Sequence, residues 1–209
     1  MTRGTFLSLD GLDGTGKSTQ CRLLADWLRA RGYAVTTCAD PGGTALGEQL
    51  RAILLHHRGH VAPACEALLF LASRAQLVAE VIRPALDAGG VVVSDRFLLA
   101  TVVYQGHAGG LDPALLWQVG LLAAGGLEPD LTLVLDLPPA VAVARRGRPA
   151  DRLERRPDDY HRRVREGFLA EARRRPDRIR VIDASQPIEV VQQAIRHEVA
   201  GLLEIPKPQ

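Results

Sequence analysis

The chain has 209 residues, 46% of them hydrophobic and 24% charged, with a formal net charge of +2. These values predict one domain with a substantial core and are ordinary for a soluble globular protein. No apolar run approaches a membrane span, and the chain enters a strand almost at once, so neither a membrane segment nor a secretory signal is expected.

Residues 6–9, Phe-Leu-Ser-Leu, read as a short buried strand. Gly11-Leu12-Asp13-Gly14-Thr15-Gly16-Lys17-Ser18 follows and fits G-x-x-x-x-G-K-[ST]. Residues 18–31 then read as an amphipathic helix with Leu23, Leu24, Trp27 and Leu28 inward. Strand, glycine-rich loop and helix form a phosphate cradle: backbone N–H groups turn inward, the lysine reaches phosphate oxygens, and the serine hydroxyl faces Mg²⁺. The candidate set for binding a nucleotide's phosphates is therefore Gly11, Asp13, Gly14, Thr15, Gly16, Lys17, Ser18 and Thr19. Lysine usage sharpens the assignment. The chain carries 24 arginines and two lysines, and one of those, Lys207, lies in the proline-flanked last residues. A chain this biased toward arginine keeps a compact ammonium where a planar fork would not serve.

Residues 35–38 read as a second strand, and 45–56 as a helix with Leu46, Leu50, Ile53 and Leu54 on one face. Residues 63–88 form a long helical stretch, bent near Pro84. Third and fourth strands at 91–94 and 131–135 lack alternation, which predicts burial on both faces. A fifth strand at 180–182 and a helix at 188–203 close the chain. The alternation implies a five-stranded parallel α/β sheet with helices on both faces. Residues 146–157 are polar and nonperiodic and read as a loop between two helices. From Arg145 to Arg180 there are 14 arginines against seven carboxylates. Arg162, Arg163, Arg173, Arg174 and Arg175 read as a solvated helix face. Interleaved acids and few aromatics argue against a nucleic-acid groove. Cys21, Cys38 and Cys65 are scattered, without metal-ligand spacing, and read as reduced core thiols of a cytoplasmic protein.

Ligands of such sheets bind at the carboxyl ends of the strands. After the third strand stands Asp95-Arg96: the carboxylate can hold Mg²⁺ through water, and the arginine can grip a phosphate. Ser18 and Asp95 are thus the metal-site candidates. After the second strand comes Asp40-Pro41-Gly42-Gly43-Thr44. Arg74, beside Leu68, Leu69, Phe70 and Leu71, fits two roles, recognition of a planar base or a snorkelling surface cation.

These stretches, taken in order, resemble the thymidylate kinase family. The matching segments are 6–20, Pro-Gly-Gly-Thr at 41–44, 68–74, Ser94-Asp95-Arg96, Tyr104-Gln105-Gly106, Asp136-Leu137-Pro138 and Asp151-Arg152-Leu153-Glu154, and they span nearly the whole chain. The resemblance implies the nucleoside monophosphate kinase fold with its phosphate loop. The implied activity is transfer of a phosphoryl group from ATP, with Mg²⁺, to dTMP, giving dTDP for dTTP synthesis. A homodimer seated on the apolar helix 63–88 is implied by the family alone.

Carried onto this sequence, the family pattern sets Asp13 near the sugar 3′-hydroxyl and phosphate of dTMP, with Arg51 and Arg96 on the monophosphate. Phe70 packs on the thymine, Arg74 bonds its edge, Thr101 faces the base, and Gln105 belongs to the same acceptor set. Tyr104 packs under the deoxyribose, where a 2′-hydroxyl would need room. Residues 145–157, with Arg145, Arg146, Arg148 and Arg152, resemble the lid that closes over ATP. The family places its catalytic arginine either in the phosphate loop or in the lid. Gly14 stands at the loop position, so the chain resembles the lid arrangement, with Arg148 and Arg152 as first candidates beside Lys17, Arg96 and Asp13.

Three sites depart from the family pattern. Ala39-Asp40 replaces Arg-Glu, which removes one phosphate or lid contact. Phe97 stands for Tyr or His, and Ala100 for Ser, which removes polar groups expected near the acceptor pocket. A kinase of the same fold acting on dUMP or a 5-modified dUMP therefore stands as the alternative, and a phosphate-loop binding protein without transferase activity as a third reading.

Overall fold

The structure is a computed structural model that describes residues 4–147 and 151–203. Its sheet is built of β1 (Thr5–Gly11), β2 (Val35–Ala39), β3 (Val91–Asp95), β4 (Leu131–Asp136) and β5 (Ile179–Asp183), all parallel, in the order β2-β3-β1-β4-β5. Each strand extends the predicted one by one to three residues, as the backbone ladder runs past the predicted ends to Gly11, Ala39, Asp95, Asp136 and Asp183.

The apolar strands are buried on both faces, as parallel sheets require. Leu7, Leu9, Val91, Val93 and Leu133 join the core that contains Leu24 and Leu28 of α1 (Lys17–Arg29), Val164 and Phe168 of α8 (Asp158–Arg174), and Ile195 and Val199 of α9 (Ile188–Leu202). Alternate positions Phe6 and Val92 turn the other way, against Leu71 and Leu77 of α3 (Pro63–Leu77) and Leu116 of α6 (Pro113–Ala123). Two strand hydroxyls, Ser8 and Thr132, are buried and satisfy one another at 2.9 Å.

The helices refine the sequence reading. In α1, Leu23 is only half-buried, and Ala25 fills the inward face instead. In α2 (Ala45–His56) the expected apolar face is open: Leu46 and Ile53 are exposed and Leu54 is buried, because the helix packs chiefly on α3 alone. The stretch 63–88 is continuous but not uniform. After α3 it winds wider over Val78–Ile82, then tightens into α4 (Arg83–Asp87). Pro84 has no N–H to return to the carbonyl of Glu80, and the wide turn just before it absorbs the mismatch. A second wide turn, Val102–His107, follows α5 (Leu98–Thr101). The sequence reading assigned no helix there. Helix α7 (Pro139–Arg145) completes the set.

This order places the functional end. From β1 the chain runs to β2 on one side of the sheet, and from β3 it crosses to β4 on the other. The loops after β1 and β3 therefore part, leaving a crevice at the carboxyl ends of adjacent strands. No helix among the described residues is long and apolar enough to cross a membrane.

Candidate active site

A cleft of about 540 Å³ opens at that crevice, within the size range of small-molecule sites. The phosphate loop forms its floor. Gly14 has φ 89°, and a Cβ there would run into the carbonyl oxygen of Ala142 on α7. The position thus has no room for a side chain, let alone an arginine. Gly16, at φ 92°, caps α1 in the left-handed region and leaves the first N–H groups of the helix facing the cleft. Gly14, Gly16, Lys17, Ser18 and Thr19 line the cleft together with Asp13. Gly11 and Thr15 instead build the loop: the Thr15 hydroxyl donates to the Leu12 carbonyl at 2.9 Å.

Lys17 is buried. Its Nζ donates to the Leu12 carbonyl at 2.8 Å and the Gly11 carbonyl at 3.3 Å, and lies 3.9 Å from Asp13. Burial, and then the positive charge of Arg96, pull its pKa below the ordinary lysine value. The Ser18 hydroxyl donates to Asp95 Oδ2 at 2.6 Å. These hard oxygens on the cleft wall suit Mg²⁺, which takes one or two protein oxygens and completes its shell with phosphate and water. Among the described residues no group of three or more His, Cys, Asp or Glu forms a separate metal cage.

Among the described residues, Arg96 is the non-glycine residue with positive φ, at 71°. Such a backbone costs about 1–3 kcal/mol and persists where surrounding contacts impose it. Here its N–H donates to the Leu9 carbonyl, and its guanidinium bonds the Gly11 carbonyl at 2.8 Å, Asp13 Oδ1 at 2.8 Å and the Tyr104 hydroxyl at 3.3 Å. Burial works against its charge, but Asp13, Tyr104 and Asp95 outweigh it, so the group is held above its ordinary pKa. Burial likewise pushes the Tyr104 phenol far above its usual value. Asp13, Arg96 and Tyr104 are therefore one cluster spanning the phosphate loop, the end of β3 and the 102–107 turn.

The opposite wall carries Arg51, Phe70, Arg74, Ala100, Thr101 and Gln105. Arg74 is 1% exposed, which removes the snorkelling role. Its Nε donates to Asp40 Oδ2 at 2.6 Å and its Nη2 to Thr101 Oγ1 at 2.9 Å and the Phe97 carbonyl at 3.3 Å. Its Nη1 is buried and has no hydrogen-bond partner in the protein. Asp40, the departure from the family pattern, thus anchors Arg74. Arg51 donates to the Pro41 carbonyl at 2.6 Å. Phe97, the second departure, does not reach the cleft; its ring is buried edge-on against Phe6, 4.9 Å between centroids. Ala100, the third, does line it.

The arginines of residues 145–157 separate. Arg146 lines the cleft, 10% exposed, and pairs with Glu154 at 3.3 Å. Arg145 is turned away, donating to the carbonyls of Ala184 and Ser185. Arg152 is bound to Glu66 at 2.8 Å and to the Leu54 carbonyl at 2.8 Å, off the cleft wall. Arg148 lies outside the described residues.

Sequence reasoning missed four residues of this region. Glu66, Glu154 and Arg156 link 151–156 to the rest of the molecule. Asp10 is buried at the end of β1, with no hydrogen-bond partner for either oxygen, and burial pushes its pKa up to about 7. A carboxylate inside an otherwise apolar strand was the available signal for Asp10. Nothing local marked Glu66, whose partners lie 39 to 90 positions away.

A family model described as thymidylate kinase matches residues 9–195. The chain is 49% identical over 201 residues to a thymidylate kinase of Symbiobacterium thermophilum, covering 95% of this chain and 94% of that protein. It is 47% identical over 203 residues to one of Clavibacter michiganensis subsp. michiganensis, covering 96% of each. Among solved structures, the thymidylate kinase of Ehrlichia chaffeensis superposes with a TM-score of 0.77 at 29% identity, over 94% of this chain and 99% of that one. With a family model spanning most of the chain and relatives at nearly half identity over about 95% of it, this chain belongs to the thymidylate kinase family.

Proposed function

We propose that this protein phosphorylates dTMP to dTDP with ATP as phosphoryl donor and Mg²⁺ as cofactor, as one kinase domain, in the cytoplasm and as a homodimer. The observation that carries the reading is the Asp13–Arg96–Tyr104 cluster, where the phosphate loop meets a second phosphate-gripping arginine across one cleft. A nucleotide-binding switch needs the first element and has no use for the second. Family membership supports the reaction class. The three thiols are free, but only Cys21 lies in the core; Cys38 is half-buried at the edge strand and Cys65 is exposed on α3, so the expectation of core thiols holds for one of the three.

The chemistry asks mainly for position and charge, because the acceptor is already a phosphate oxygen and the transition state is loose. Lys17 and the loop N–H groups serve the donor phosphates. Arg96 and Arg51 serve the acceptor phosphate, and Asp13 and Tyr104 hold Arg96 in its strained conformation. Phe70 offers an apolar face and Arg74 Nη1 a donor for the pyrimidine; Thr101 and Asp40 orient that arginine. Ser18 and Asp95 would hold Mg²⁺, which when bound neutralises charge on the phosphates. Arg146 supplies the charge that Gly14 has no room to supply. Its place on the cleft wall supports it over Arg152, which is committed to Glu66.

Steady-state assays with ATP across a panel of nucleoside monophosphates test the reading. The highest kcat/KM is expected for dTMP, with dUMP weaker and the ribonucleotide of thymine weaker still. A higher kcat/KM for dCMP or a purine monophosphate would refute it.

A further inference from the structure

Glu66, near the start of α3, is 2% exposed and does not line the cleft, but Gln105, which does, bonds its carboxylate. A carboxylate so buried is tolerated only when its charge is answered. Here three side chains answer it from two directions. Gln105 Nε2 donates at 3.0 Å from the cleft wall. Arg156 Nη2 reaches both carboxylate oxygens, at 2.8 and 2.9 Å, and Arg152 Nη2 stands 2.8 Å away. Arg152 also closes the end of α2, bonding the Leu54 carbonyl through Nε and the Leu55 carbonyl through its backbone N–H. Those carbonyls sit in the last turn of the helix, where intrahelical donors run out. The turn 151–154 is stiffened by Asp151 Oδ1, which accepts from the N–H groups of Leu153 and Glu154, and Glu154 in turn pairs with Arg146.

A chain of polar and ionic contacts therefore runs from Gln105 on the cleft wall through Glu66 to residues 152–156, and through Glu154 to Arg146. We infer that Glu66 is a positioning residue: it fastens the arginine-bearing segment 151–156 to the acceptor wall and so sets Arg146 at the cleft. This deepens the kinase reading and rests on it for its catalytic consequence; the fastening itself does not.

Two measurements separate these. The first is tryptic cleavage after Arg152 and Arg155 in the protein without nucleotide, with circular dichroism to confirm the fold. Glu66→Gln keeps an acceptor for Gln105 but removes the negative charge that faces both arginines, and cleavage is expected to accelerate on the order of 10-fold or more as local opening becomes easier. Arg156→Gln provides a second variant from the other side of the contact. It destroys no tryptic site, since Arg156 precedes Pro157, and the same acceleration is expected. Cleavage at the parent rate in the folded variants overturns the fastening. The second measurement is a double-mutant cycle on kcat. Glu66→Gln should lower kcat on the order of 10-fold or more, with a small change in the KM for dTMP. In an Arg146→Ala background it should lower kcat no further. Losses that multiply in full would make Glu66 merely structural and overturn the positioning role. If Arg146→Ala alone changes nothing, the assignment of Arg146 fails, and the cleavage arm still decides the fastening.

Discussion

Lys17 lies buried against two loop carbonyls with its pKa lowered by burial and by Arg96, so its ammonium is held close to a site that favours anions. Lys17→Ala is expected to remain folded and to lose kcat by at least about 10³-fold, since no other side chain of the loop carries positive charge; single-turnover assays with circular dichroism check it. Arg146 and Arg145 are adjacent in sequence and opposite in geometry. Arg146→Ala should cost on the order of 10³-fold in kcat, as arginines that meet transferred phosphoryl charge do. Arg145→Ala, which loses only carbonyl contacts near β5, should stay within a few-fold. Equal losses in the two variants would refute the assignment. Asp10 offers a pH test. Its folded pKa, about 7, is raised above its ordinary 3.8 by burial. The folded state thus binds this proton more tightly than the unfolded one, and the contribution is fully present below about pH 4 and is lost as pH rises through about 7. Asp10→Asn has no proton to lose. Its melting temperature relative to the parent should climb between pH 5 and 7 and level off above; a pH-independent difference would contradict the shift.

At the scale of elements, the contact between the loop after β2 and helix α3 rests on the Asp40–Arg74 pair, with both side chains at most 1% exposed. Removing one partner of a buried pair strands the other's charge, a loss of about 3–5 kcal/mol. Arg74→Ala is therefore expected to lower stability by that amount in denaturant titrations and to weaken dTMP at the same time. A change below about 1 kcal/mol would mean that the pair is not coupled as the geometry indicates. The same pair explains how Asp40 fits where the family carries another acid: it reaches a buried arginine directly at 2.6 Å.

For the whole molecule, exposed Leu68 on α3 and Leu115 and Leu122 on α6 stand on two helices that pack against one another. Together they support the proposal that the dimer forms there, since a monomer leaves these large apolar side chains in water. The parent is expected to sediment as a dimer, and Leu68→Glu combined with Leu122→Glu as a folded monomer. A parent that sediments as a monomer at micromolar concentration would contradict the proposal.

The sequence by itself determined the α/β class, the five strands, the phosphate loop and the family, because each is written in local pattern. Apolar runs mark strands buried on both faces, and a glycine-lysine-serine spacing marks a loop whose backbone must turn inward. Gly14 was legible as a missing arginine; only the tertiary structure supplied the reason, the carbonyl of Ala142 lying where a Cβ would go. Arg74, open between two roles in the sequence, was decided by Asp40 and Thr101, which lie 34 and 27 positions away. The arginines of 145–157 are alike in sequence. Which of them faces the cleft depends on Glu154, Glu66 and the carbonyls of Ala184 and Ser185, partners that chain folding alone brings into reach. Buried charge must be answered by whatever group the fold places beside it, and that juxtaposition has no local signature.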